Sequence, residues 1–345
     1  MSGESVPEGT VRDAGWRGDA PPSTSRPSRR IIGRLGDFGP VLALLALAGL
    51  YAVIAPNFLT VFNLTNVLTQ VSIVAIAGVG MTMVILVAGI DLSVGSVVAL
   101  TGCLAAMTLT NVVGDHTFGN AAVAVFVALA VGVLVGVVNG LLVTMGQVPA
   151  FIATLATLVA VRGVALLITD AAPVSIPQGP YVEIGRGFVG PVPVPVIIMI
   201  LVFTAGYVVL HRMRIGRRIY AVGGNMESAR LSGVRVNRVL VFAFAASGLC
   251  AGTAGVIVSS KLAGGLPAGA NGFELDVIAA VVVGGTSLFG GRGRLLGTFV
   301  GALLIGVLGN GLVLMNVSDY WQRILTGAVI VGAVILDRVV RGRST

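Results

Sequence analysis

The sequence predicts an all-α integral membrane protein with about ten transmembrane helices. Of its 345 residues, 56% are hydrophobic and 10% are charged, and its mean hydropathy is +0.99. Soluble domains carry roughly 25% charged residues, so this composition excludes a soluble enzyme, a nucleic-acid-binding domain or a disulfide scaffold as the main class. The apolar stretches continue well beyond ten residues, which argues against the alternating strands of a membrane β-barrel.

The first segment, residues 1–36, is rich in Pro, Ser, Gly and Arg. Such a segment buries too little apolar surface to order itself, so we expect a disordered cytoplasmic tail. It is too long and too polar for the first region of a signal peptide, and the first apolar run is therefore expected to be a retained membrane helix. The transmembrane domain is predicted to occupy 37–338, followed by a cytoplasmic tail at 339–345.

The membrane domain is predicted from runs of about 20 apolar residues, the length that crosses a bilayer as a helix. Ten segments qualify: 39–55, 67–88, 92–110, 121–145, 150–169, 192–210, 239–259, 273–289, 296–315 and 320–337. Some of the intervening joins are only three or four residues long, so one of the segments can be broken or re-entrant.

The distribution of positive charge gives the orientation. Eighteen of the 22 Arg and Lys residues lie in regions that ten crossings place on one side: six in the N-terminal tail, seven in 211–238, two in 290–295 and three at the C-terminus. Because positive loops stay cytoplasmic, both termini are predicted to be inside. Orientation in a membrane also explains the net charge of +8 better than a nucleic-acid partner does.

Several kinds of chemistry are missing from the sequence. Lys261 is the sole lysine and is followed by Leu262, so the chain contains no Gly-x-x-x-x-Gly-Lys-Ser/Thr phosphate loop. Catalytic and metal-binding motifs are also missing, and the two cysteines lie inside apolar runs, where they are expected to pack. We therefore predict that the chain is not an enzyme and holds no cofactor or metal of its own.

The loop at 211–238 is the most informative polar segment. Asn225 is a good helix N-cap, Glu227 suits the positive end of the helix dipole, and Gly233 can end the helix in a left-handed conformation. The pattern predicts a helix of about two turns at the cytoplasmic surface. One interpretation is a surface helix beside lipid headgroups, and the other is a docking element for a soluble motor.

At this point the sequence resembles a known family, the permease subunits of bacterial ABC importers for monosaccharides in the ribose, xylose, arabinose and galactose group. The resemblance covers about residues 38–337. Five segments carry it: 80–85 (GMTMVI), 89–96 (GIDLSVGS), 148–155 (VPAFIATL) with Arg162-Gly163, 227–233 (ESARLSG) and 274–293 (ELDVIAAVVVGGTSLFGGRG).

The resemblance implies a multi-pass permease in a bacterial plasma membrane that pairs with a second copy or a homologue. It also implies ATPase subunits that bind ATP and Mg, and an extracytoplasmic sugar-binding protein. The family's Glu-x-Ala-x-x-x-Gly coupling helix corresponds here to Glu227, Ala229 and Gly233, flanked by Asn225 and Arg230.

Alternatives are an ABC permease for nucleosides or branched-chain amino acids, an ion-coupled secondary carrier, and a membrane scaffold or receptor without a substrate. Scarce intramembrane carboxylates argue against the carrier.

Polar residues in or beside the spans are candidates for the translocation path. They are Asp91, Ser93, Thr154, Thr157, Arg162, Ser287 and Asn310. For Asp91 the favoured alternative is a helix N-cap that bonds the N–H of Ser93 or Val94. Arg162 either lines the cavity or extends to the outer headgroups. For Thr154, Thr157, Ser287 and Asn310 the favoured alternative is a hydrogen bond between helices.

A second set of charged residues is expected at the outer mouth, where a binding protein could dock: Lys261, Glu274 and Asp276. Solvated loop charges are the alternative for these three. The segments 89–95 and 285–291 are also faintly similar, as an internal repeat would be, although chance explains four matched positions equally well.

Overall fold

The structure is a computed structural model that describes residues 3, 28–112, 117–318, 320–328 and 331–332. Phe38–Thr345 forms one compact unit, and Met1–Asp37 is a separate unit. Of the predicted N-terminal tail, 4–27 lies outside the described residues, as does the predicted C-terminal tail at 339–345. Helix α1 begins at Ser28, earlier than the predicted end of the tail, because Arg, Ile and Leu between 29 and 35 favour helix.

Most described residues are helical. The helices are α1 (Ser28–Ile54), α2 (Val61–Leu86), α3 (Val94–Met107), α4 (Phe118–Thr144), α5 (Ala150–Ile168), α6 (Glu183–Arg186), α7 (Val194–Tyr207), α8 (Arg214–Gly224), α9 (Met226–Leu231), α10 (Val236–Leu262), α11 (Phe273–Val283) and α12 (Leu295–Leu314). Helices α3 and α7 continue into π-helical turns at Thr108–Val112 and Val208–Arg212.

Four short strands form two antiparallel pairs in the loops. Strand β1 (Val174–Ser175) pairs with β4 (Gly264–Gly265), and β2 (Phe188–Val189) pairs with β3 (Val192–Pro193). The first pair joins the loop after α5 to the loop after α10. Two connections far apart in the sequence are therefore fixed to each other at one end of the helical unit.

Six helical segments in the described part of the chain are long and apolar enough to cross a membrane: Val61–Leu86, Phe118–Thr144, Ala150–Ile168, Val194–Arg212, Val236–Leu262 and Leu295–Leu314. The protein is thus a multi-pass helical membrane protein. Gly39–Ile54 and Val94–Thr110 are shorter apolar helices. Within the predicted span at 273–289, only the 11 residues of α11 are helical, and they measure about 16 Å. The helix stops there because Gly284 and Gly285 end it. The count of ten spans stays a prediction.

Helices α2 and α10 form the centre of the unit, and close backbone contacts hold α4 against α10. At Gly136 on α4, an added Cβ would lie 2.9 Å from Ala245 Cα, and at Gly80 on α2 it would lie 2.6 Å from Ser247 Cα. Between lipid-exposed helices, apolar side chains give little net driving force, so such close contacts supply much of the association energy. The glycines therefore fix how closely α2, α4 and α10 approach.

The chain between α2 and α3 is buried although it is not helical. Helix α2 ends in a Schellman motif, in which Ala88 has φ 61° and the N–H groups of Ala88 and Gly89 donate to the Ile85 and Val84 carbonyls. The Oγ of Ser247, 11 residues into α10, hydrogen-bonds Asp91 in this loop. The loop at 87–93 thus lies about 16 Å along α10 from its start.

The connections separate into two groups. The end of α2 and loop 87–93 together contact the start of α5, the loop after α11 and the end of α8. We call this the α8–α9 end. At the opposite end, the start of α2 contacts α12 through Asn63 and Asn310, and the loop at 169–187 contacts the end of α10.

The close approach of α4 and α10 predicts a difference between two Gly-to-Ala substitutions. Gly136→Ala places a methyl group against the α10 backbone, and overpacking costs about 1–3 kcal/mol, so we expect a lower melting temperature for the purified protein in detergent. Gly163→Ala on α5 meets no atom within 4 Å, and it should leave the melting temperature unchanged or raise it. An equal effect of both substitutions would contradict this packing.

Candidate functional site

The loop between α7 and α10 folds into two helices at the α8–α9 end. Helix α8 is amphipathic: Gly216, Ile219 and Val222 are buried, whereas Arg217 and Arg218 are exposed. The three buried residues recur every three positions, as one face of a helix requires. Helix α8 therefore lies along the helical unit with its arginines directed outward.

Helix α9 has the capping geometry that the sequence predicts. The Asn225 side chain accepts a hydrogen bond from the Ser228 N–H at 2.8 Å, Glu227 lies in the first turn, and Gly233 has φ +80°. The helix has six residues, slightly less than the predicted two turns. The cap and the left-handed end are confirmed.

Helix α9 is exposed along most of its length. Ala229 is 5% exposed and holds the helix to the unit, while Asn225, Glu227, Arg230 and Gly233 are all exposed. Glu227 and Arg230 form an ion pair at 3.5 Å, and such exposed pairs contribute little to stability. The predicted docking residues thus lie on one small outward surface, anchored by one buried methyl group.

The end of α8 is attached to two other connections through backbone contacts. The Gly291 N–H donates to the Leu86 carbonyl at 2.9 Å, and an added Cβ at Gly223 would collide with that same carbonyl. Gly290 and Gly291 have φ +82° and +71°, a backbone conformation that residues with a side chain adopt only at an energetic cost. We call Leu86, Gly223, Gly290 and Gly291 the glycine junction.

Tyr220 strengthens the glycine junction. Its hydroxyl donates to the Gly293 carbonyl at 3.0 Å. Burial raises the pKa of Tyr220, and the nearby Arg294 only partly opposes this, so the hydroxyl keeps its proton at neutral pH. Ser287, predicted for the translocation path, lies in the same loop, where its N–H donates to the Arg292 carbonyl and its carbonyl accepts from the Gly290 N–H.

Asp91 is the centre of a buried hydrogen-bond network. It is 1% exposed. Its Oδ1 accepts from the Ser93 N–H at 3.0 Å and the Ser93 hydroxyl at 2.6 Å, and its Oδ2 accepts from the Ser247 hydroxyl at 2.7 Å. The bond to the Ser93 N–H is the one that the capping alternative predicts. The N-cap position of α3 is Ser93 itself, so Asp91 lies two residues before it.

The network continues into α4 and α5. Asn139 on α4 donates to the Ser93 Oγ at 2.9 Å and accepts from the Thr157 hydroxyl at 2.7 Å. Thr154, one turn before Thr157, lies 3.0 Å from the Ile90 carbonyl and 2.8 Å from the Ala150 carbonyl. Thr157 and Asn139 therefore form the bond between helices that we expect of such residues.

Arg162 lies on α5 and hydrogen-bonds two backbone carbonyls. It is half-buried, 12 residues into α5, and its Nη1 donates to the Pro267 carbonyl at 2.9 Å and to the Gly269 carbonyl. Both carbonyls belong to the loop between α10 and α11. Loop carbonyls thus satisfy part of the hydrogen-bonding capacity of the arginine.

Glu274 and Asp276 lie in the first turn of α11, and Lys261 lies in the last turn of α10. An added Cβ at Gly95, in the first turn of α3, would meet Glu274 Oε2. That oxygen is buried and has no hydrogen-bond partner in the described part of the chain. Glu274 was expected at the outer mouth, but the loop from 263 to 272 descends along α3 from Cys103 to Gly95 and carries α11 inward with it.

Asn310, the last of the predicted path residues, forms a reciprocal amide pair. Its Nδ2 donates to Asn63 Oδ1 at 2.8 Å, and Asn63 Nδ2 donates to Asn310 Oδ1 at 2.9 Å. Both side chains are buried. The pair joins the start of α2 to the end of α12, which agrees with the alternative of a bond between helices.

Sequence reasoning missed three residues that hold these sites together: Ser247, Asn63 and Gly223. Each lies far along the chain from its partner, so no local pattern marks it. Asn63 also precedes the predicted segment at 67–88, so the hydropathy pattern did not place it within a span, although α2 begins at Val61.

Comparison with known proteins decides the family. The sequence profile of a family described as the permease component of the branched-chain amino acid transport system matches residues 63–334. The chain belongs to this permease family. The match covers every helix of this permease from α2 to α12, including the glycine junction, the Asp91 network and α9.

Individual relatives are similar over almost their full length. The ribose import permease protein RbsC of Escherichia coli K12 is 47% identical over 301 residues, which is 86% of this chain and 92% of the relative. RbsC of Bacillus subtilis is 43% identical over 308 residues, 89% and 94% of the two chains. The D-allose transport system permease protein AlsC of E. coli is 38% identical over 304 residues, 88% and 92%. No solved structure matches the permease.

The Asp91 network predicts non-additive effects on stability. Asp91→Ala leaves the Ser247 hydroxyl without its acceptor inside the unit, and an unsatisfied buried group costs about 1–3 kcal/mol, so we expect a lower melting temperature in detergent. Ser247→Ala alone should have a smaller effect.

The double variant Asp91→Ala/Ser247→Ala should be no less stable than Asp91→Ala alone, since the second change removes the unsatisfied hydroxyl. Strictly additive losses of stability would contradict the network.

Proposed function

We propose that this chain is the membrane-spanning subunit of an ATP-driven importer for a monosaccharide. An extracytoplasmic binding protein delivers the sugar, and separate ATPase subunits, which bind ATP and Mg, drive alternating access. The chain pairs with a second copy or a homologue. It carries out no covalent chemistry, and it resides in the plasma membrane of a bacterium.

The geometry of α9 is the observation that carries this proposal. Its exposed polar surface is joined to the helical unit through Ala229 and, through α8, to the glycine junction. A helix of six residues is marginal by itself, and the packing of Ala229 holds it to the helical unit, so its exposed polar side is available to a partner. A force applied to α9 reaches the end of α2 and the loop before α12 through backbone contacts rather than through flexible side chains.

A sugar is the substrate class that the relatives favour. The names of the relatives at 47%, 43% and 38% identity give ribose or D-allose as the transported compound, and an E. coli relative at 35% identity is a xylose permease. The family description names branched-chain amino acids, which makes them the second candidate substrate class.

We propose ten crossings with both termini in the cytoplasm. The grouping of the connections supports this topology. Among the described residues, the loops that ten crossings place inside and that contact other connections lie together at the α8–α9 end. The loops at 87–93 and 284–294 belong to this group, as does the start of α5. The arginines of α8 then face the cytoplasm, as positive loops do.

The path and docking roles of the singled-out residues stay predictions. Hydrogen bonds within the chain favour structural roles for Asp91, Ser93, Thr154, Thr157 and Asn310, and Ser287 lies in the loop of the glycine junction. Lys261 and Asp276 remain candidates for docking the binding protein, whereas Glu274 lies against Gly95 in the first turn of α3. Arg162 is the path candidate with hydrogen-bond donors left over.

Purification of the tagged permease in mild detergent from its host tests the proposal. We expect a stoichiometric ATPase subunit to co-purify. Its recovery should fall at least tenfold when Glu227 and Arg230 are both reversed in charge, because the exchanged charges face the partner's complementary groups.

The matched control reverses Glu183 and Arg186, an acid and a base on α6 at the opposite end of the unit. Recovery of the ATPase with this control should equal that of the wild type. If the permease purifies alone and imports its substrate in vesicles energised only by an ion gradient, the chain is a secondary carrier.

Two adjacent glycines test the role of the glycine junction in coupling. Gly223→Ala places a methyl group against the Leu86 carbonyl, 2.6 Å from the Gly291 nitrogen, whereas Gly224→Ala meets nothing within 4 Å. We expect Gly223→Ala to retain the ATPase subunit but to lower sugar import per ATP hydrolysed by fivefold or more. Gly224→Ala should import at the wild-type rate. Equal import by the two variants would show that the junction transmits nothing.

A further inference from the structure

We infer that Arg162 and Glu274 form a subsite that binds a hydroxyl group of the transported sugar. The inference rests on the proposed function, since it names the residues by which a polyol is recognised inside the membrane. It follows from three observations: bonding atoms left over on both side chains, the position of the pair between interrupted helices, and the exposure of the face that carries them.

Both side chains have unused hydrogen-bonding atoms. Among the described residues, Arg162 donates only through Nη1, which leaves Nε and Nη2 available. Glu274 Oε2 is buried and has no partner among the described residues. Arg162 binds the Gly269 carbonyl, while the next carbonyl, that of Ala270, and Glu274 Oε2 both lie against Gly95. Unused donors and an unused acceptor of opposite charge thus lie beside the same stretch of loop, and these two described side chains form no salt bridge.

A sugar hydroxyl complements the hydrogen-bonding groups of this pair. It can accept a hydrogen bond from a guanidinium and donate one to a carboxylate at the same time. Hydrogen bonds to charged groups are stronger than those between neutral groups. A neutral polyol can therefore use both residues without bringing a charge of its own into the membrane.

The position of the pair is that of a substrate site. Helix α3 begins inside the unit after the buried loop at 87–93, and α11 begins after the loop that descends along α3. Glu274, in the first turn of α11, lies beside Gly95, in the first turn of α3. In secondary transporters, substrate sites lie near the membrane centre where helices are interrupted. Glycine at 95 lets Glu274 Oε2 lie directly against the start of α3, where any side chain would collide with it.

The exposure of this face separates the pair from the structural polar network. Asp91 is enclosed, and both of its oxygens are satisfied. Arg162 and Glu274 are half-buried, and the neighbouring Leu275 is 48% exposed. Two charged groups facing lipid would be costly, so in the assembled transporter this face borders water or another protein subunit. A passage between two permease copies meets that requirement.

The test uses the complete complex in proteoliposomes: permease, ATPase and binding protein saturated with radiolabelled sugar. The probes are D-ribose and those of its monodeoxy derivatives that the binding protein still binds. Import and ATP hydrolysis are measured for the wild type, Arg162→Lys and Glu274→Gln. The matched controls are Arg186→Lys, whose Nε also donates to a backbone carbonyl, and Glu183→Gln.

We expect Arg162→Lys and Glu274→Gln to slow D-ribose import by tenfold or more, the loss that corresponds to one charge-assisted hydrogen bond. ATP hydrolysis stimulated by the binding protein should stay within twofold of the wild type. One monodeoxy sugar should be imported slowly by the wild type, and neither variant should slow it further, because the bridging hydroxyl is already missing. Both controls should resemble the wild type with every sugar.

A purely structural role would lower import of every sugar by the same factor, and that result would overturn the inference. Unchanged D-ribose import by both variants would also overturn it. If the wild-type complex imports none of the monosaccharides bound by its binding protein, the proposed function itself fails. The wild-type measurement therefore separates the two failures.

Discussion

The structure depends on one constraint: backbone that leaves the helical conformation inside apolar surroundings must find hydrogen-bond partners there. The chain does this twice within the helical unit. At 87–93, the Schellman motif satisfies the end of α2, and Asp91 satisfies the start of α3 with help from Ser247. At 263–272, Arg162 satisfies the Pro267 and Gly269 carbonyls. Each break in the helices is thus held by one charged side chain.

The same constraint explains why polar residues in the spans cluster instead of scattering. Asn139, Thr157 and Ser93 share one chain of hydrogen bonds, and the two amides Asn63 and Asn310 satisfy each other. A polar group surrounded by lipid has no solvent to bond with, so it must be placed where a second one lies. These clusters join α2, α4, α5, α10 and α12 at particular registers, which apolar contacts alone specify weakly.

Local features were predictable from the sequence, whereas long-range partners were not. The Asn225 cap and the left-handed Gly233 follow from residues within one short segment. The bond from the Ser93 N–H to Asp91 is local and was predicted, but Ser247 lies 156 positions away in the chain. Hydropathy marked 273–289 as a span, since Gly284 and Gly285 are not polar enough to interrupt an apolar run. Their backbone conformation ends α11, and hydropathy does not report conformation.

Asp91 and Glu274 differ in whether both carboxylate oxygens are hydrogen-bonded, and this difference suits the first to a structural role and the second to the proposed role in transport. Both oxygens of Asp91 accept hydrogen bonds from Ser93 and Ser247, so a substrate would have to compete with bonds that also hold α3 and α10 together. Glu274 has an oxygen that the described residues leave without a hydrogen bond, and a buried acceptor without a hydrogen bond is unfavourable. A folded chain retains such a group at a stability penalty, and a ligand that satisfies it gains that energy on binding. For a permease that must bind its substrate weakly and release it, one unsatisfied carboxylate oxygen beside one partly used guanidinium supplies a modest affinity without a rigid site.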